Sequence, residues 1–452
     1  MNTSQIYIAV SIAVLASIAL LVLLTGKSRR EDRLTPLAGL AFGFVLAGIL
    51  FGDDRLIGHS LLGIGVILAV IDIFKKSKSN SAVRLHTMLP VVLLLALGGP
   101  IHRASASAQL SGGVVTEEIT FSNGKIRLAG TLTLPSGDAP HAAVVLFSGS
   151  GPQDRDGATK TIPGYRPFAI IAEHLAHNGV AVLRYDDRGV GESSGEYIEA
   201  TEPDFISDAE TALRYLAGRK EIESKQVGVL GHSEGCLIAA KVAANNPQAA
   251  FVISLAGGAV DGYTLLLRQA ERQGQAEGMS KERVAEIVQE QRRIFDLVLA
   301  KEWEELTEVV SATILKRLEA LPKEKTAAIG DMNSFAKKRA LRSVSAFQHP
   351  RYQFLLRHDF GKDWEKVSVP VLALFGELDV QCDASQNKVA LKQALARNEN
   401  DDVKIVIVPA ANHCFMKART GSMSEYATLP KDFAPGLLEA ISSWLLEKNI
   451  LK

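Results

Sequence analysis

The stretch "QVGVLGHSEGCLIAAKVAANNP" (226–247) reads as a strand that stops, a turn, and a helix that starts at once. Val227 to Leu230 form an apolar run of buried-strand type, and Gly231 to Gly235 make the turn. "CLIAAKVAA" then continues as the helix. Small residues at 231 and 235 let strand and helix approach closely around a strained residue, Ser233. The helix start aims free N–H groups and a partial positive charge at that serine. A second stretch, "GESSG" (191–195), fits the same G-x-S-x-G string. Its preceding strand ends near Tyr185, the polar "DDRGVGE" intervenes, and "EYIEATEP" is not an immediate helix. Ser193 is therefore read as a loop residue.

Working outward, strands and helices alternate. "VVTEEITF" and "IRLAGTLTLP" read as antiparallel strands joined by "SNGK". "AAVVLF" (142–147), "VAVLRYD", "QVGVLG", "AFVISLAG", "VPVLALFG" and "VKIVIVP" follow as buried strands with helical segments between most of them. The expected class is α/β, with a mostly parallel central sheet, helices on both faces, and a site at the carboxyl ends of the strands. Residues 261–360 break the alternation. They contain charged helical runs such as "SKERVAEIVQEQRRIFDLVLAKEWEEL" and no convincing strand. The expected division is a core over 114–260 and 361–452, with 261–360 inserted as a helical cap. A solvated decoration or an oligomer contact are the plainer readings of the insertion.

The chain has 452 residues with 50 basic and 50 acidic side chains, a balance that argues against nucleic acid as a partner. Three cysteines without a C-x-x-C pair or a His cluster suggest neither a disulfide scaffold nor zinc, and no cofactor is implied. The apolar runs 6–24, 34–52 and 56–74 have the length of membrane-spanning helices. Basic residues such as Lys27, Arg29, Lys75 and Lys76 flank them. The positive-inside rule then puts those loops in the cytoplasm. A fourth run, 88–101, reads as a short span or a signal-like segment with a cleavage site after Ala106 or Ala108. These features predict a multi-pass protein of the cytoplasmic membrane, with the lipid bilayer as a partner and everything after about residue 110 outside.

If Ser233 is a nucleophile on such a sheet, an acid and then a histidine should follow. Of ten histidines only His413 lies beyond "VPVLALFG". The loop of "LALFGELDV" supplies Asp379, with Glu377 and Asp383 as neighbouring alternatives. His413 would take the proton of Ser233 while Asp379 fixes the imidazole tautomer. An oxyanion needs two backbone donors. The N–H of Glu234 is one. Ser150 in "SGSGPQDRDG" is the other, with Gly149 and Gly151 as alternatives. Asp154, Arg155 and Asp156 either pin that loop or touch substrate. Cys382 and Cys414 flank two loops that must meet; in an exported domain a disulfide between them would staple the loops, and two free, partly buried thiols are the alternative. Cys236 is expected to pack as a small apolar residue.

Together "GSGPQDRDG", "VLRYDDRGVGESSG", "GHSEG", "LALFGELDVQ" and "NHCF" resemble the alpha/beta-hydrolase superfamily. Within it they resemble bacterial serine carboxylesterases of a serine aminopeptidase-like or dienelactone-hydrolase-like group, over about 114–450. The resemblance implies Ser233, Asp379 and His413 as catalytic residues, Ser150 and Glu234 as oxyanion donors, and 261–360 as the cap. It implies hydrolysis of small-molecule carboxylic esters through an acyl-enzyme. A peptidase cleaving short acyl-peptides on the same residues is the alternative, and an inert membrane-anchored scaffold is a third reading. The first 110 residues depart from the family's pattern.

Overall fold

The computed structural model describes residues 109–451 apart from 112, 323–325, 327 and 328. The apolar runs 6–24, 34–52, 56–74 and 88–101 lie outside the described residues. Among the described residues no helix is long and apolar enough to cross a membrane. The expected membrane localisation, with its bilayer partner, is corrected on that finding and is not carried further.

Among the described residues nine strands form one sheet: β1 (Gln109–Ser111), β2 (Val114–Asn123), β3 (Ile126–Pro135), β4 (His141–Phe147), β5 (Val180–Tyr185), β6 (Ile222–His232), β7 (Val252–Leu255), β8 (Val371–Gly376) and β9 (Val403–Val408). Their order is β1-β2-β3-β5-β4-β6-β7-β8-β9. Pairings among β1, β2, β3 and β5 that involve the first three are antiparallel. From β5 to the far edge every pairing is parallel. Two details differ from the sequence reading. A short strand, β1, extends the antiparallel edge, and β6 starts at Ile222 because His141 of β4 pairs with it across a register shift. The polar residues Glu223 to Lys225 hide that extension from a sequence reading, Glu223 being partly covered and Ser224 and Lys225 exposed.

The continuous apolar strands are explained by burial on both faces. Ala143, Val145 and Phe147 of β4 pack into one cluster, with Leu213 and Leu216 from α2 (Glu202–Ala217), Ala239 and Val242 from α3 (Glu234–Asn245), and Leu391 and Leu395 from α10 (Ala384–Ala396). Their alternates Ala142, Val144 and Leu146 pack on the other side. There they meet Phe168 and Ile171 from α1 (Pro167–His177), and Ile441 and Trp444 from α11 (Leu437–Glu447). The period of two in side-chain direction thus feeds two cores from one run of sequence.

Between β7 and β8 come α4 (Gly262–Ala276), α5 (Lys281–Ala300), α6 (Trp303–Glu319), α7 (Met332–Gln348), α8 (Pro350–Arg357) and the short α9 (Gly361–Trp364). Leu267, Phe295, Val298, Leu306, Val344 and Leu356 bring five of these helices around a separate apolar cluster. β4 and β6 are neighbours, and the connection after β4 runs to β5 on one side while that after β6 runs to β7 on the other. Such a reversal opens a crevice at the carboxyl ends of the strands. The loops after β4 and β6 border it.

Trp444 is 1% exposed and meets Phe251 of the β6–β7 connection edge-on, with ring centroids 5.8 Å apart. Trp444→Ala should lower the unfolding free energy by about 3–5 kcal/mol, read from urea denaturation followed by circular dichroism.

Candidate active site

Ser233 stands between β6 and α3 at φ 55° and ψ −120°, a conformation that costs energy for any residue with a Cβ. Its N–H donates to Leu255 O at 2.9 Å, and its own carbonyl accepts from Cys236 N at 3.0 Å. The flanking glycines are required by contact. A Cβ on Gly231 would lie 2.2 Å from Gly235 O, and one on Gly235 would lie 2.3 Å from Phe147 O. Strand β4, the turn and the helix start are therefore in backbone contact. Cys236 is fully buried, with its Sγ near Gly231 O, and burial pushes its thiol up to about 12.

His413 and Asp379 come from the loops after β9 and β8. Asp379 is 1% exposed and its Oδ1 accepts from Gln381 N at 2.7 Å and Cys382 N at 2.9 Å. Its Oδ2 faces His413 Nδ1 at 2.9 Å, and His413 Nε2 lies 3.0 Å from Ser233 Oγ. With Asp379 ionised, Nδ1 carries the proton and donates, so Nε2 is left to accept from the serine hydroxyl. The alternatives are engaged elsewhere. Glu377 accepts from Ala410 N, and Asp383 caps α10 while pairing with Arg268 at 2.5 Å.

Two residues that sequence reasoning passed over hold this loop. Asn412 Oδ1 accepts from both Cys414 N and Met416 N at 3.0 Å. His232, next to the serine, has Nε2 3.0 Å from His413 O. Burial, reinforced by His413, pulls its imidazole down to about 4, so it is neutral and donates there. Position gave a signal for both, since each adjoins a chosen residue, but neither partner could be seen from spacing.

The loop after β4 is tied by charges. Ser148 Oγ donates to Asp187 Oδ1 at 2.6 Å, Gln153 N donates to Asp187 Oδ2 at 3.0 Å, and Gln153 Nε2 donates to Ser150 O at 3.2 Å. Arg155 binds Asp186 through N, Nε and Nη2. Asp156 pairs with Arg166 and Arg184, and Asp154 accepts from Asp156 N and Ala158 N. All three residues of "DRD" thus have loop partners. "GESSG" serves the same scaffold. Ser193 Oγ donates to Asp186 O and accepts from Ala129 N, and a Cβ on Gly191 would strike the Asp186 carboxylate.

A cavity of about 290 Å³ opens beside Ser233 and His413, with Gly149 and Ser150 also at its wall. Ile162, Tyr165, Phe168 and Ile171 line one part of it, and Phe415, Met423, Tyr426 and Phe433 another. Among the described residues no Asp, Glu, Lys or Arg lines it, and no residue of 261–360 does. That insertion reaches the site from behind: Arg351 pairs with Glu234, Arg268 with Asp383, and Gln273 donates to Ser422 beside Met423. The expected Cys382–Cys414 disulfide is corrected, because both thiols are free. They pack apart, Cys382 with Leu237, Leu265 and Phe360, and Cys414 against Ile162 and Tyr165. Burial raises both thiols, Cys414 to about 12, so neither is a ready thiolate. Among the described residues no group of His, Cys, Asp and Glu could hold a metal ion.

A family model described as serine aminopeptidase, S33, matches residues 162–290. Esterase EstD of Thermotoga maritima is 26% identical over 321 residues, 71% of this chain and 66% of its own length. The match thus spans just under two thirds of that relative. Two solved structures resemble the chain at lower identity. An alpha/beta hydrolase from Penicillium is 17% identical with a TM-score of 0.43, covering 74% of this chain and 96% of that one. An esterase of Pyrococcus furiosus is 14% identical with a TM-score of 0.44, covering 74% and 91%. The family model and the esterase relative support an alpha/beta-hydrolase, esterase-like family and a hydrolase in general.

Asp187 gives a pH test of the loop. It is 6% exposed, and burial pushes its carboxyl up to about 7 against the pull of Ser148 and Gln153. An unfolded aspartate titrates near about 3.9. Between those values the folded chain holds the extra proton, so stability falls as pH rises through that window. Asp187→Asn should flatten this slope between pH 5 and 7.5, measured by urea midpoints in parallel with the unmodified protein.

Proposed function

We propose that the chain is a serine carboxylesterase acting on esters with an uncharged, apolar acyl group. The reading rests above all on the hydrogen-bonded line Asp379–His413–Ser233 ending at an uncharged cavity. Ser233 Oγ attacks the ester carbonyl while His413 Nε2 takes its proton. The N–H groups of Glu234 and Ser150 receive the oxyanion. Asp379 holds the imidazolium that forms. His413 then returns the proton to the leaving alkoxide, and the acyl group stays on Ser233. Water, deprotonated by His413, releases the acid and restores the serine. Helices α4 to α8 act as a cap that braces the catalytic loops.

A peptidase on the same residues is the second reading, favoured by the name of the matching family model. An aminopeptidase must bind a free α-ammonium group, which calls for a carboxylate. The uncharged lining speaks for the ester. Size adds a bound on the acyl group. A cavity of about 150 Å³ holds benzene, so one of twice that volume suits about a dozen non-hydrogen atoms.

Fluorophosphonate should label Ser233, and Ser233→Ala should lose both the label and at least about ten-thousand-fold in kcat. An unlabelled Ser233 in folded protein would sink the assignment. Across p-nitrophenyl esters from acetate to palmitate, kcat/KM should peak at acyl chains of about six to ten carbons. Aminoacyl p-nitroanilides should be poor substrates. Ile171→Phe fills the cavity and should cut octanoate turnover about tenfold or more while sparing acetate.

A further inference from the structure

Glu234 follows the serine and bears a carboxylate that the elbow's backbone contacts do not require. Arg351 of α8 grips it with two bonds, Nε to Oε1 at 3.1 Å and Nη2 to Oε2 at 2.9 Å. Both side chains are largely covered, at 18% and 14% exposure. The same guanidinium donates from Nη1 to Tyr197 Oη at 2.5 Å. Its Cζ lies 4.9 Å from the Tyr197 ring centre and 4.6 Å from that of Phe205. A small second cavity brings Glu234 and Arg351 together with Asp187, Ser148 and Gly149. Two carboxyl groups and one guanidinium therefore stand directly behind the loop and the turn that carry the proposed oxyanion donors.

We propose that Arg351 is a positioning residue for the reaction, supplied by the inserted helices to the nucleophile turn. It fixes the first residue of α3 through Glu234 and neutralises a carboxylate whose field would otherwise reach the developing oxyanion from behind the turn. This rests on the serine-hydrolase reading of Ser233. Removing Arg351 leaves Glu234 largely covered, unpaired and close to Asp187, the costly arrangement for buried charge. The negative field would fall hardest on the transition state, where the oxyanion forms, and hardly at all on an uncharged bound ester. The loss should thus appear in kcat rather than KM. It should also be relieved by removing the orphaned charge.

The test compares Arg351→Met, Arg351→Lys, Glu234→Gln and the double variant Arg351→Met/Glu234→Gln. Ester turnover, the rate of fluorophosphonate labelling at Ser233 and the thermal midpoint are read on each. Arg351→Met should lose about tenfold or more in kcat and labelling rate, with KM within about twofold. Arg351→Lys should fall between it and the unmodified protein, because lysine keeps the charge but not the two-pronged grip. Adding Glu234→Gln to Arg351→Met should recover most of the labelling rate. Labelling of Arg351→Met at the unmodified rate would overturn the proposal. So would a loss confined to KM, a double variant no better than Arg351→Met, or losses that vanish at a temperature where every variant is fully folded. If the unmodified protein is not labelled at all, the serine-hydrolase reading itself fails, which the other outcomes leave standing.

Discussion

Everything at the centre of this fold depends on one crowded contact, in which the backbones of β4, β6 and α3 touch through Gly231 and Gly235. Only the missing side chains at these positions allow carbonyl oxygens to come within about the distance where a Cβ would sit. The contact forces Ser233 to φ 55°, and Leu255 O and Cys236 N hold it there. Strain of this kind persists only where the surroundings over-determine it. Here the surroundings are the two hydrophobic layers on either face of the sheet. The cost at one residue is thus borne by the burial of many.

The elbow was legible because its signal is local. Strand, turn and helix lie within 22 residues, and the glycines mark the contact directly. Order along the chain points to His413 and place after a strand points to Asp379, and the structure brings both to Ser233. Both rules follow from a parallel sheet delivering its loops to one edge. Side-chain partners across the fold were not legible. Nothing in the spacing of 187, 197, 234 and 351 indicates that these residues meet, since 117 positions separate Glu234 from Arg351. The cysteine inference failed for a related reason. Two loops can meet while their side chains turn into different apolar clusters, as those of Cys382 and Cys414 do. Nor did the sequence reveal that helices 261–360 stay out of the cavity wall, because amphipathic helices report that they cover something and not what they cover.

The site is layered by polarity. The cavity lining carries no Asp, Glu, Lys or Arg among the described residues, and ion pairs stand one layer behind it: Arg155 with Asp186, Arg268 with Asp383, and Arg351 with Glu234. Each ties a loop that bears on Ser233, Asp379 or the turn between them. Buried ion pairs contribute little net stability against apolar packing. Their value in such a place is directional, since a guanidinium fork fixes orientation as well as distance.

The uncharged lining has a consequence for how a catalytic cycle would end. On the proposed reading an ester would enter as a neutral molecule, yet its hydrolysis would leave a carboxylate in a chamber walled by Ile162, Phe168, Phe415 and Phe433. Among the described residues no Lys or Arg on that wall can compensate the new charge, so water outside becomes the better solvent for the product. The same surface that favours a greasy acyl group on the way in would repel its acid on the way out. Chemistry itself would clear the chamber, without a moving part.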